Sequence, residues 1–438
     1  MEKKIVIVGA GVAGINAATK LVDNGYPGEL ITILDKGNDP HNRLPEEVMT
    51  GMLGAGGWSD GKLTYHTAIG GQLAKYCGEE KAMELMKQVV DNFTRFHPKP
   101  EEIFMSDPQE EPEFIKPYFG LRMFPVWHIG SNFLHEIAKN WYSYLLDKGV
   151  TFKWNYEAVP NFESNTVTGL TTDKTHAFIY HYDELIFAVG KSGIDLAQHL
   201  SNQYELPTEP KSVQIGVRFE APQKYFQKLI DVSYDFKLYQ KFDNVSLRSF
   251  CTNNNAAYVA VEETYGDVSY NGHAKKGEEF RNNMTNFGIL MEIKGIEDPF
   301  KWSRDVVDKC NVNSAIYNTH AGLYYSPNLT RRPSHTSEGN VVSCFPIDSL
   351  DIFKEAMGEY ADYVLNFIDN MNSVFNFGDD WGMYIPEVKY LSPEPLVNYE
   401  DLSLNEYPNV HFAGDALSAR GITVSGAHGI YIAENLIK

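Results

Sequence analysis

Residues 4–24 read KIVIVGAGVAGINAATKLVDN and decide the fold of this chain. A run of β-branched residues predicts a buried strand, glycine then recurs at positions 9, 11 and 14, and the stretch that follows predicts a helix. A second apolar stretch, LITILD, ends at Asp35. Strand, glycine turn, helix, strand and acidic residue in this order are typical of a dinucleotide-binding βαβ unit.

Each position of this motif has a physical reason. Gly9 lets the chain turn sharply after the strand, Gly11 lets the backbone approach a pyrophosphate, and Gly14 lets the helix pack close to the sheet. The N-terminus of the helix then faces the phosphates, and Asp35 can accept a hydrogen bond from a ribose hydroxyl. Two neighbouring residues complete this half of the expected cofactor site, namely Ala13 and Lys36.

The other end of the chain indicates which dinucleotide binds. Residues 409–438 read NVHFAGDALSARGITVSGAHGIYIAENLIK, a short strand into Gly414 and Asp415, followed by a glycine-spaced segment and a helix. This resembles the second flavin motif of two-domain flavoproteins, in which the aspartate binds the ribityl chain and the helix N-terminus faces the pyrimidine end of the flavin. The alternative is a Gly-Asp turn that only caps a helix. The resemblance implies FAD, with further contacts at Gly421, Ile422 and Thr423.

Composition narrows the class of protein. The chain has 438 residues and a net charge of −20, which favours two domains and disfavours nucleic acid and anionic membranes as partners. No apolar signal segment or membrane span is evident, so we expect a cytoplasmic location. The four cysteines form no CxxC pair, so neither a disulfide scaffold nor a metal site is expected.

The order of predicted elements indicates an α/β fold in two domains. Residues 1–204 would form the first part of the FAD-binding domain, and residues 396–438 its second part. Residues 205–395 alternate in the manner of strands and then give two helical stretches. We therefore expect a Rossmann-like FAD-binding domain with an inserted α+β substrate domain built on a mixed sheet.

Five motifs carry a resemblance to a known family. They are GAGGWSDGKL (54–63), WHIGSN (127–132), FAVGKSGID (187–195), IGVRFE (215–220) and LRSFC (247–251). Together they resemble the uncharacterised FAD-dependent dehydrogenases of bacteria, relatives of the glutathione-reductase-type flavoproteins. The resemblance implies FAD and an oxidoreductase, but no particular substrate. In that family LRSFC continues with a second cysteine, whereas Thr252 follows here, so a dithiol role is not expected.

The loop 54–65 is the expected contact of the reactive face of the flavin. Gly56 and Gly57 permit close approach of the backbone, and Trp58 either covers the ring or fills the core. Lys62 either hydrogen-bonds the flavin or a substrate anion, or it pairs with Asp60. The remaining expected cofactor contacts are Ser59 in this loop and Gly190 at the end of a later strand.

Four residues are candidates for the reaction itself: Lys62, His66, Arg248 and Cys251. His66 directly follows the glycine loop, and for it, as for His128 and His428, the alternative is ordinary packing or capping. Arg248 could bind a carboxylate through two hydrogen bonds, as could Arg218 and the pair at 331–332. For Cys251 the alternative is a small apolar group near the ring.

These features predict an oxidoreductase that transfers a hydride between a small organic substrate and N5 of FAD. The chain has no second GxGxxG motif and no CxxxxC pair, so the nicotinamide domain of the disulfide reductases is not expected. Reoxidation would then fall to oxygen or an acceptor protein. The alternatives are a flavin- or ligand-binding module of the same fold without turnover, and an FAD-dependent monooxygenase.

Overall fold

A computed structural model describes residues 2–44, 47–209, 213–264, 267–274, 281–316, 323–325, 349–378, 380–389 and 394–438. In chain order its strands are β1 (Ile5–Val8), β2 (Ile31–Asp35), β3 (Lys62–Thr64), β4 (Phe104–Ser106), β5 (Gly120–Arg122), β6 (Val126–His128), β7 (Thr151–Trp154), β8 (Tyr156–Asn161), β9 (Thr166–Thr171), β10 (Ala177–His181), β11 (Glu184–Phe187), β12 (Thr208–Glu209), β13 (Val213–Pro222), β14 (Lys237–Lys241), β15 (Val245–Asn255), β16 (Ala257–Thr264), β17 (Asp267–Ala274), β18 (Met284–Ile293), β19 (Leu323–Tyr325), β20 (Gly382–Lys389), β21 (Glu394–Pro395) and β22 (Val410–Phe412).

The α-helices, again in chain order, are α1 (Val12–Asp23), α2 (Gly56–Ser59), α3 (Leu73–Cys77), α4 (Glu79–Phe96), α5 (Leu134–Asp147), α6 (Ile194–Gln203), α7 (Gln227–Ile230), α8 (Pro299–Ile316), α9 (Ser349–Met357), α10 (Ala361–Phe375) and α11 (Ile422–Leu436). Among the described helices, none combines the length and the apolar composition that crossing a bilayer demands.

The chain divides into two compact units. The first consists of Met1–Ser106, Pro125–Pro210 and Ser392–Lys438. Its main sheet has five parallel strands in the order β22-β11-β1-β2-β7. Strands β1 and β2 are joined through α1, as the glycine motif predicts, because parallel neighbours need a crossover connection. The meander β8-β9-β10 and the sheet β3-β6-β4 are antiparallel.

Helices α1 and α11 pack against each other within the core of the first unit, although they come from opposite ends of the chain. Glycine makes this close contact possible, since a Cβ atom on Gly429 would lie 2.0 Å from the carbonyl oxygen of Ala13. The two dinucleotide motifs are thereby brought side by side.

The second unit consists of Asp107–Phe124 and Lys211–Leu391. Its main sheet runs β19-β20-β13-β18-β15-β14-β5. The segment Asp107–Phe124, which the sequence analysis placed in the first domain, belongs here because β5 pairs with β14. Apolar residues of one sheet face pack against helices that include α8, α9 and α10 to form a separate core.

The expectation of a mixed sheet in this unit is wrong. Among the described strands of the seven-stranded sheet, every pairing is antiparallel. Alternation of apolar and polar residues reveals a strand but says nothing about the direction of its neighbour. Here the alternation reflects a sheet with one face on a helical core, which is typical of antiparallel sheets.

Candidate functional site

The turn between β1 and α1 is built around glycine. Gly9 has a φ of +107°, and a Cβ atom on it would lie 2.1 Å from the carbonyl oxygen of Ala188. A Cβ atom on Gly14 would lie 2.2 Å from the carbonyl oxygen of Gly9. Both positions therefore need glycine because the chain itself fills the space.

Gly11 is different from these two. It is the residue before α1, with an ordinary φ of −67°, and a Cβ atom on it would find only the carbonyl oxygen of Ala188, at 3.9 Å. Neither backbone strain nor packing requires glycine there. The space beside Gly11 lies at the N-terminus of a buried helix, where free N–H groups and the helix dipole attract anions.

Asp35 binds the backbone of the turn. Its carboxylate accepts hydrogen bonds from the amides of Ala10 (2.8 Å), Gly37 (2.7 Å) and Gly51 (2.8 Å). A carboxylate has about four acceptor positions, so one remains for an outside donor such as a ribose hydroxyl. The side chain of the neighbouring Lys36 donates to the carbonyl oxygen of Ser192 at 2.8 Å.

Arg43 is a residue that the sequence analysis missed. Its guanidinium is buried and donates to the carbonyl oxygens of Glu47 (2.8 Å), Val48 (2.7 Å) and Met52 (2.6 Å). Burial lowers the pKa of Arg43 to about 10, although Asp35 and Glu47 act in the opposite direction. Arg43 thus fixes the loop before the glycines, and no local pattern in the sequence distinguishes it from a surface arginine.

The glycine loop is held against the N-termini of α1 and α11. A Cβ atom on Gly56 would lie 2.8 Å from Cγ1 of Ile422, and one on Gly57 would lie 2.5 Å from Cβ of Leu53. Side chains of the protein itself therefore demand glycine at these two positions. The close approach of a ligand is therefore not needed to explain why glycine occupies these two positions.

Trp58 fills the core, which was one of its two expected roles. Its side chain is 2% exposed and contacts the side chains of His135 and Arg43. Its ring stacks on His135 with centroids 3.8 Å apart, and the guanidinium of Arg43 lies 4.2 Å from the ring centroid. Of Ser59, only the backbone at the end of α2 is described.

Lys62 begins β3 and lies directly opposite His128 of β6. The backbone N–H of Lys62 donates to the carboxylate of Asp60 at 3.1 Å. The ring of His128 makes a 3.0 Å hydrogen bond with the hydroxyl of Ser106. A half-buried lysine and a half-buried histidine are thus neighbours on one face of a small sheet.

His66 does not share this face. Its side chain is exposed, and its Nδ1 atom accepts a hydrogen bond from the amide of Ala68 at 3.0 Å. The ring therefore closes a local turn, which is the capping role that the sequence analysis gave as the alternative to catalysis.

The C-terminal motif lies next to the first one. Gly414 has a φ of +67°, and a Cβ atom on it would lie 3.5 Å from Cβ of Ala13. Asp415 follows, with Oδ1 3.5 Å from Nε of Arg420. Burial raises the pKa of Asp415, while Arg420 and Lys191 act to lower it. The carboxyl group is held in a partly desolvated position beside two cations.

The N-terminus of α11 is the second helix end in this region. Gly421 precedes the helix with a φ of +116°, and Ile422 is buried. The hydroxyl of Thr423 donates to the carbonyl oxygen of Thr64 at 2.6 Å, so it fastens β3 to α11, and its hydrogen is not available to a ligand. Gly190 has a φ of +63°, and a Cβ atom on it would meet open space.

In the second unit, Arg218 is fully buried. It donates to Oδ1 of Asn286 at 2.6 Å and to the carbonyl oxygen of Cys251 at 2.7 Å, and it lies 3.5 Å from the carboxylate of Glu387. Arg218 is therefore part of the interior polar network. Cys251 is exposed, with a φ of +47° at a bulge of β15. The pair at 331–332 lies outside the described residues.

Comparisons with known proteins do not identify the function of this chain. No family model matches the chain, and no curated protein sequence matches it. The solved structures that match include a flavoprotein/dehydrogenase from Cytophaga hutchinsonii (TM-score 0.41, 10% identity, 100% of this chain and 78% of that chain). They also include the flavin-dependent halogenase CmlS (0.41, 9%, 97% and 56%) and 2-methyl-3-hydroxypyridine-5-carboxylic acid oxygenase (0.39, 12%, 100% and 83%). Likenesses this weak carry no argument about function.

Proposed function

We propose that this protein binds FAD in its first unit and acts as an FAD-dependent oxidoreductase. The observation that carries the proposal is the difference among the glycines of the first turn. The space beside Gly9 and Gly14 is filled by the chain, whereas a Cβ atom on Gly11, at the N-terminus of α1, would have room, with the carbonyl oxygen of Ala188 as its nearest neighbour at 3.9 Å. Open space beside a buried helix N-terminus suits a phosphate group.

The surrounding residues fit the parts of FAD in order. The N-terminus of α1 at Gly11 would hold the pyrophosphate, and the remaining acceptor position of Asp35 would bind the ribose. Asp415 would bind the ribityl chain, and the N-terminus of α11 at Gly421 would lie against the pyrimidine end of the flavin. When bound, the flavin would accept a hydride from the substrate or donate one to it.

Neighbouring residues would act on the substrate rather than on the cofactor. Lys62 is the best placed of the proposed catalytic residues in the first unit, because β3 is fastened to the N-terminus of α11 through the Thr423 hydroxyl. A lysine there can hold an anionic group of the substrate. His66 is the weaker candidate, since its ring already closes a turn.

Purification of the protein tests the cofactor. We expect yellow protein that releases FAD, not FMN, when it is denatured, as judged by the absorbance spectrum and by chromatography of the released compound. Colourless protein that fails to take up added FAD would reject the oxidoreductase and favour a binding module without turnover. Oxygen-dependent hydroxylation of an added organic compound by the FAD-loaded protein in the presence of a reductant would favour the monooxygenase alternative.

A further inference from the structure

A row of basic and aromatic side chains crosses the sheet of the second unit on the face away from the helices. Arg248 of β15 lies directly opposite Tyr239 of β14, and Arg122 of β5 lies opposite Lys237 of β14. Residues two apart on a strand share a face, so Phe250 of β15 lies on this face too. We name Arg122, Tyr239, Arg248 and Phe250 the arginine face.

Close ring contacts hold these side chains in place. The guanidinium of Arg248 lies 4.0 Å from the ring centroid of Phe250, and Nζ of Lys389 lies 3.6 Å from the same centroid. The guanidinium of Arg122 lies 5.0 Å from the ring centroid of Tyr239. Two cations thus share one aromatic ring, and a third cation lies on the neighbouring ring.

A glycine helps to shape this surface. A Cβ atom on Gly120 would lie 2.1 Å from Cζ of Tyr239, so the tyrosine ring lies flat across β5. Any larger residue at position 120 would displace the ring that lies between the two arginines. The aromatic side chains are therefore positioned by packing, and the guanidinium groups are positioned by the aromatic side chains.

Glu292 of β18 is the acid that acts on the arginine face, since it lies opposite Ser246, on the same side of the sheet as Arg248. Among the residues that the structure describes, neither Arg122 nor Arg248 makes a hydrogen bond or an ion pair through its guanidinium. Burial lowers the pKa of Arg248; Glu292 on the next strand acts to raise it, and Arg122 acts to lower it further. Partial burial of like charges costs free energy that a bound anion would offset.

Nearby charged residues are already engaged elsewhere. Lys237 pairs with Asp235 at 2.6 Å, and the carboxylate of Glu387 lies 3.5 Å from Arg218. Neither acid is therefore in an ion pair with Arg122 or Arg248 in the described part of the chain. The two arginines, together with Lys389 on the ring of Phe250, are the cations that an incoming anion would meet.

We infer that the arginine face binds an organic molecule through a carboxylate group. Guanidinium groups bind carboxylates through paired, charge-assisted hydrogen bonds. The adjoining rings of Tyr239 and Phe250 favour an organic body over a small inorganic ion. The binding itself does not depend on FAD; only the role of this molecule as the substrate rests on the proposed function.

Calorimetric titration with sodium benzoate, at constant ionic strength, tests the site. Benzamide, which has the same shape but no charge, and sodium sulfate, an inorganic anion, are the comparison ligands. We expect benzoate to bind and benzamide not to bind, and we expect Arg248→Met to weaken benzoate binding by about tenfold or more. Arg122→Met should weaken it as well, and this exposed position keeps the test valid if Arg248→Met does not fold.

Lys241→Met is the matched control, because it removes one exposed positive charge from the same face of β14. It should leave benzoate binding unchanged. The inference is overturned if wild-type protein does not bind benzoate, if benzamide or sulfate binds equally well, or if both arginine variants bind benzoate as wild type does. FAD content measured on the same samples separates these outcomes from a failure of the proposed function.

Discussion

His428 lies in the middle of α11 with no polar partner in the described part of the chain. It is fully buried, and both of its ring nitrogens lack a hydrogen bond. The ring of Tyr76 packs edge-on at a centroid distance of 5.8 Å. Burial lowers the pKa of His428 to about 4, so this side chain is neutral packing in the folded protein, as the sequence analysis allowed.

A pH dependence of stability follows from this residue. The unfolded chain binds a proton at His428 near pH 6.5, whereas the folded protein resists protonation down to about pH 4. The unfolded state therefore binds more protons in this window, and stability falls as the pH falls. As the pH falls from about 7.5 to about 5, we expect the buried His428 to lower the free energy of unfolding by about 2 kcal/mol.

Urea unfolding of wild type and His428→Leu at both pH values measures this cost. The loss of stability on acidification should be smaller in the variant by about that amount. His181→Asn is the control, since His181 is exposed on β10, and it should behave as wild type does. Equal acid sensitivity of wild type and His428→Leu would contradict the prediction.

In the turn from β1 to α1, we expect substitutions at two different glycines to affect packing and ligand binding separately. Gly11→Ala places a methyl group in open space at an ordinary φ, so we expect the free energy of unfolding without FAD to change by less than about 1 kcal/mol. The same methyl group would obstruct a pyrophosphate, and FAD affinity should fall by about tenfold or more.

Gly14→Ala is the matched comparison within the same turn. Its methyl group would meet the carbonyl oxygen of Gly9 at 2.2 Å and Cγ2 of Ile7 at 2.9 Å. We expect this variant to lose about 1–3 kcal/mol of stability whether or not FAD is present. Thermal unfolding with and without FAD, together with FAD titration, measures both effects. If Gly11→Ala bound FAD as tightly as wild type does, the pyrophosphate would have to lie elsewhere.

At the scale of the whole molecule, the proposed cofactor site occupies one unit only. The second unit is built on an antiparallel sheet in its described part, and the chain has no second GxGxxG motif. A nicotinamide dinucleotide that is bound in the usual way would need a further parallel βαβ unit. We therefore expect NADH and NADPH to reduce the bound flavin slowly.

Anaerobic stopped-flow mixing with NADH measures this rate through the loss of flavin absorbance. The expected rate lies well below a typical enzyme turnover of about 10 per second. Dithionite serves as the control, since it should bleach the same sample completely. Fast bleaching by NADH or NADPH alone would show that the second unit, or another part of the chain, binds a nicotinamide.

Periodicity and glycine spacing were sufficient to predict many of the helices and strands of the first unit. The predicted strand, turn, helix and second strand are β1, α1 and β2. The charged stretch 79–96 also predicts a helix, which is α4. Residues 128–149 carry an amphipathic pattern that predicts a helix from His128 onward, whereas the α-helix begins only at Leu134. The segment 98–117 is rich in proline and acidic residues, which predicts irregular structure. It nevertheless contains β4, because that strand forms by pairing with β6, which lies further along the chain.

Glycine spacing and the acidic positions identified residues that could serve a dinucleotide, since these residue types express local backbone needs. The contacts of each position became visible only in the folded chain. Gly56 and Gly57 accommodate Ile422 and Leu53, and Thr423 holds Thr64, whereas Gly11 alone of the first three glycines faces open space. The reason is physical: a local pattern states what a residue permits, but the atoms that occupy the permitted space come from distant parts of the chain.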